Sequence, residues 1–167
     1  MKNWGILALV LVVGLTACSR GGKTISTDQG SVTTSADDKT TTITTKEGSM
    51  TAGDNAVDIS KLGVAIYPGA QQQQGSFAIS GQTSSGQMVS FKTTDGFDKV
   101  YGWYKSQLPP AAQQMKMDAN GTSFAQFVSG DKANATTIMI TSKGATETDI
   151  LITKSVTVPT PPGAQST

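Results

Sequence analysis

The chain has 167 residues, with 13 basic and 12 acidic side chains, one cysteine and no histidine. A charge balance this even leaves no net field to steer the protein onto nucleic acid or an anionic surface. The missing histidine removes Ser/His/Asp and Cys/His catalysis and the commonest metal ligand, and a lone thiol excludes an internal disulfide framework and a thiolate zinc site.

The first predicted element is a leader over residues 1–17. Lys2 and the amino terminus precede an apolar run from Ile6 to Leu15, interrupted only by Gly14. As a helix, such a run reaches about 15 Å, roughly half of what a membrane span requires. It is too short to span and has the form of a signal-peptide apolar region. Leu15-Thr16-Ala17-Cys18 follows it. These four residues resemble the lipobox of bacterial lipoproteins, which implies cleavage before Cys18 and acylation of its thiol, palmitate being the kind of chain attached. A single acyl chain holds a protein only marginally at a membrane, whereas two or more hold it stably. Ser19 differs from the aspartate of the inner-membrane retention signal. The resemblance therefore implies a lipid-anchored protein on the periplasmic face of the outer membrane, or on the cell-membrane surface if the source is Gram-positive.

Residues 18–56 are rich in Thr, Ser, Gly and Asp and poor in large apolar side chains, which reads as a solvated tether. The same stretch holds a repeat. Thr24-Ile25-Ser26-Thr27-Asp28-Gln29-Gly30-Ser31-Val32-Thr33 aligns with Thr42-Ile43-Thr44-Thr45-Lys46-Glu47-Gly48-Ser49-Met50-Thr51, eighteen positions later. Each copy has the pattern of a β-hairpin with its turn before Gly30 or Gly48, and Asp37-Asp38-Lys39 would join the copies. An isolated hairpin with one Ile and one Val or Met to bury is marginal in water. A Thr/Ser-rich tether and a small hairpin repeat both stay open.

An α+β domain is predicted over 57–156. Val57 to Leu62 reads as a short helical turn ended by Gly63, and Val64 to Tyr67 as a brief strand closed by a type II turn at Pro68-Gly69. Ser76 to Ser80 and Gln87 to Thr93 read as an antiparallel strand pair. A helix is predicted from Asp95 to Leu108, with Asp95 as N-cap, Asp98 in the first turn and Pro109-Pro110 as the stop. Its apolar stripe is Phe97, Val100, Tyr101, Tyr104 and Leu108. Gln113 to Met117, Phe124 to Ser129, Thr136 to Ser142 and Asp149 to Val156 read as further strands. The last two are flat, β-branched and weakly charged, so one of them is a candidate exposed edge. The fold class expected is one antiparallel sheet with a single helix on one face, in the order β-β-α-β-β-β, preceded by the tether. Residues 157–167 are Pro-rich and read as a disordered tail.

Tyr67-Pro68-Gly69-Ala70 with Trp103-Tyr104 resembles a recurrent pattern in small exported bacterial domains of unassigned function. Tyr67, Tyr101 and Trp103 are the candidate contact residues, because amphipathic rings serve sugar and peptide contacts; the competing reading makes them core. Asp95 and Asp98, the one carboxylate pair on an ordered element, are read as capping and dipole partners rather than a cation site or catalytic pair. No metal, cofactor or catalytic residue is expected. The function expected is a non-enzymatic envelope module acting by contact with an envelope protein, with peptidoglycan or with its own copies. The alternative is a small-ligand receptor or carboxylate-dependent hydrolase around Tyr67, Trp103 and Asp95.

Overall fold

The computed structural model describes residues 22–157 apart from positions 38, 143 and 145. The leader, Cys18 and everything beyond Thr157 lie outside the described residues.

Among the described residues the architecture is one antiparallel sheet of 11 strands with a single short helix. This overturns the β-β-α-β-β-β α+β arrangement with a preceding tether. The Thr-rich repeat forms two hairpins, β1 (Lys23–Thr27) with β2 (Gly30–Thr34) and β3 (Thr40–Thr45) with β4 (Gly48–Gly53). Strand β4 then pairs with β6 (Ser76–Gly81), which carries the meander into the rest of the sheet. The remaining strands are β5 (Gln71–Gln72), β7 (Ser84–Thr93), β8 (Gln113–Ala119), β9 (Thr122–Gly130), β10 (Asn134–Ser142) and β11 (Thr148–Thr157). Their order across the sheet is β1-β2-β3-β4-β6-β7-β11-β10-β9-β8, with β5 paired to β7 beside β6.

The physical reason for the difference is cooperative. One Ile, Val or Met per strand cannot stabilise a hairpin, but in register with β6 the strands β2, β3 and β4 gain ladder hydrogen bonds and cross-strand contacts on both sides, and β1 on one. The two strands offered as edges, β10 and β11, are central, and the outermost strands are β1 and β8. Val64 to Tyr67 is irregular chain rather than a strand. The turn after it is as expected, with the Ala70 amide donating to the Tyr67 carbonyl at 3.1 Å and Gly69 at φ 77°.

Helix α1 (Phe97–Gln107) packs on one face of the β7, β11, β10 and β9 block. Period-2 alternation aims Val89, Phe91, Ile150, Ile152, Ile138, Ile140, Ala125 and Phe127 at it, and Phe97, Val100 and Tyr104 answer from the helix. Residues 57–70 cross the same face and bury Leu62 and Tyr67. A 3-10 turn at Ile59–Lys61, capped by Asp58, starts that crossing, and the Leu62 carbonyl accepts a bond from the buried Thr136 hydroxyl at 3.1 Å. The Tyr104 hydroxyl is buried beside the Tyr67 backbone and makes no hydrogen bond of normal geometry among the described residues. Because an unpaired buried hydroxyl is costly, Tyr104→Phe is expected to leave stability unchanged or raise it by up to about 1 kcal/mol, read from urea midpoints. A loss above about 1 kcal/mol would mean that the hydroxyl has a partner.

Candidate functional site

Of the aromatic residues singled out from sequence, Tyr67 is buried in the core, and Tyr101 and Trp103 are half-buried against it. Their rings form one chain of contacts beneath the helix: Phe97–Tyr101 at 6.1 Å, Tyr101–Phe127 at 5.4 Å, Phe127–Tyr104 at 6.5 Å, Tyr104–Trp103 at 4.8 Å and Trp103–Tyr67 at 5.4 Å. Tyr67 and Trp103 meet edge to face, while Tyr101 sits at the far end, stacked on Phe97 and Phe127. The three therefore do not converge on one space. Lys116 of β8 closes the Tyr101 end, with Nζ 5.2 Å from that ring and 2.9 Å from Asp98 Oδ1.

Asp95 is not the helix cap. Gly96 takes that position, with no side-chain capping bond, and Asp95 instead accepts from the Tyr67 hydroxyl at 2.7 Å and from Lys99 at 2.8 Å. The Lys99 ammonium, followed by the Tyr67 hydroxyl, holds the Asp95 carboxyl below its usual 3.8. A carboxylate so held adds stability above pH 3.8 that is lost as pH falls through its lowered value. Acid unfolding of Asp95→Asn is accordingly expected to depend less on pH below that point than acid unfolding of the unaltered chain. Superimposable acid profiles would refute the coupling. Burial, followed by the hydrogen bond to Asp95, pushes Tyr67 up to about 12, and burial pushes Tyr104 to about 12. Stability from these two phenols is intact below pH 10 and falls as pH rises toward 12, which ultraviolet titration alongside circular dichroism would show.

The opposite face of the sheet is different in kind. No described element packs on it, and alternation gathers apolar side chains there. The direct cross-strand partners Ile25, Val32, Ile43, Met50 and Ile79 make one rank across five strands. Beyond Ile79 that rank runs into Gly86 and Ser155; Phe77 and Met88 are paired in the adjacent rank, and Leu151 with Met139 and Phe124 with Met117 extend the apolar surface to β8. Met50, Met88, Met115, Met117 and Met139 all stand on this face. Ile25 is 66% exposed, Met117 54% and Ile79 45%. The middle of the block holds a shallow hollow of about 300 Å³ bordered by Ser90, Lys92, Met139, Thr141, Asp149 and Leu151. At its rim Lys92 Nζ lies 2.8 Å from Glu147 Oε1, and that bond raises the lysine pKa.

On the helix side, the meander presents hydroxyls instead. Thr24, Thr33, Thr42 and Thr51 form a rank, bonded in pairs at 3.1 Å between Thr24 and Thr33 and between Thr42 and Thr51. Among the described residues no group of three or more acidic or cysteine side chains is placed to hold a metal ion, and no helix is long and apolar enough to cross a membrane.

The sequence reading missed the apolar face, although its signal lies in the repeat. Alignment of the two copies superposes Ile25 on Ile43 and Val32 on Met50, each flanked by Thr or Ser. In a strand that triplet means hydroxyls on one side and a single apolar residue on the other. Comparisons with protein-family models, with curated proteins and with solved structures find no match.

Proposed function

We propose that this chain is a lipid-anchored envelope protein that works by contact, using its extended sheet as the contacting surface. The observation that supports the contact role is the concentration of exposed Ile, Val and Met on one uncovered face, since soluble proteins rarely display contiguous apolar area unless it meets something. Methionine suits such a surface because its unbranched, polarizable side chain adapts to irregular partners. Anchoring rests on Leu15-Thr16-Ala17-Cys18, and the outer membrane facing the periplasm is the proposed site in a Gram-negative source.

Two measurements test the reading separately. Intact-mass analysis of protein from its native host should give a mature chain starting at Cys18 and carrying acyl chains, and Cys18→Ser should abolish the added mass. A bare thiol or a retained leader would refute the anchor. Cross-linking in the native envelope, followed by mass spectrometry, should give links from residues bordering the apolar face. Links confined to the helix side would refute the contact surface.

A further inference from the structure

We propose that a second copy of this chain covers the apolar face, the two sheets packing face to face as the layers of a β-sandwich. This rests on the contact role above and names the partner.

The first argument is area. Strands spaced 4.7–4.9 Å apart make the ten-strand path about 45 Å wide, and three ranks of side chains along the strands span about 20 Å, so the uncovered face of each copy, its apolar and hydroxyl side chains together, extends over on the order of 900 Å². A stable interface needs about 800 Å² per partner. The second argument is charge. Among the described residues, the strands place only Lys23, Lys92 and Asp149 as ionisable side chains on this face, and Lys92 is paired with Glu147 at the rim, so two identical faces meet with few charges to desolvate.

The third argument is the requirement for a second layer. A sheet must bury its apolar face against another layer, and here α1 and residues 57–70 supply that layer only on the opposite side and only over the β7 to β9 block. A twisted sheet mates well with a copy of itself, aligned at about −30°, and a two-fold pairing closes without forming an open filament.

The test uses the full acylated chain at fixed detergent concentration, so that protection by detergent is constant while protein concentration varies. Peroxide oxidation is followed at each methionine by mass spectrometry, with sedimentation in parallel. Met50, Met88 and Met139 are expected to oxidise progressively more slowly as protein concentration rises, while the mass passes from monomer to dimer. Met88→Lys should abolish both effects. Its site is 40% exposed and accepts a lysine in the monomer, and Ile79→Lys at a 45% exposed site serves if the first variant fails to fold. Thr51→Lys, on the hydroxyl side, should still dimerise.

Oxidation independent of protein concentration, with monomer mass throughout, would overturn the proposal. If the methionines are then protected in the native envelope, a different protein or the bilayer covers the face and the contact role stands without the second copy. Exposure in both settings removes both.

Discussion

Truncating Phe127 to Ala is expected to destabilise the protein by about 3–5 kcal/mol, a large share of the 5–15 kcal/mol typical of a folded domain. Phe127 is 2% exposed and joins the Tyr101 and Tyr104 rings, so it ties the helix to β9. Its cross-strand partner Ile138 is as deeply buried, which leaves little freedom for the site to collapse around the cavity. Urea unfolding would read the loss as a lower midpoint at unchanged slope, and Phe127→Leu should recover most of it. A loss below about 1 kcal/mol would mean that the helix does not pack on this strand as described.

Gly53→Ala should act at a different level, by disconnecting the meander from the rest of the sheet. Gly53 stands at φ 136°, and an added Cβ would lie 2.0 Å from the Lys39 carbonyl oxygen and 2.7 Å from the Thr40 Cα, both backbone atoms that cannot swing aside. The backbone conformation alone costs on the order of 1–3 kcal/mol for an L side chain, and the clash adds to it. The position is a junction. Gly53 pairs with Thr40 and Ser76, and its carbonyl accepts from both the Ser76 hydroxyl and the Ala56 amide. Hydrogen exchange should therefore speed up across β1–β4 while β9–β11 keep their protection. Uniform acceleration would show one cooperative unit in place of two, and no acceleration would show that the β3–β4–β6 register is wrong.

The two substitutions probe parts of the molecule that differed in how legible they were. The helix-bearing part was readable because its signals are local. Phe97, Val100 and Tyr104 recur at helical spacing, Ile138 with Ile140 and Ile150 with Ile152 alternate at strand spacing, and Pro68-Gly69 demands its turn. Each pattern follows from the geometry of its own segment, whatever that segment meets.

What the chain meets was settled elsewhere. Asp95 has the composition of a cap, yet a tyrosine 28 positions earlier and Lys99 one turn later engage it, and a glycine caps the helix instead. The aromatic trio read as a candidate contact site is mostly the seam between helix and sheet. Residue by residue, Thr24 to Thr51 leaves a solvated tether and a hairpin repeat both open, because each strand holds a single apolar side chain; it forms two hairpins in the sheet once four strands and β6 align those side chains into a rank.

By itself the amino-acid order determined the segments, their periodicities, the repeat and the short Leu15–Cys18 pattern, all of them properties of neighbours along the chain. Tertiary structure alone decided that the repeat joins the main sheet, which strands lie at its edges and which of its two faces the helix leaves open. Those choices depend on pairing between residues far apart in sequence, and the free energy of such pairing exists only once the partners are in register.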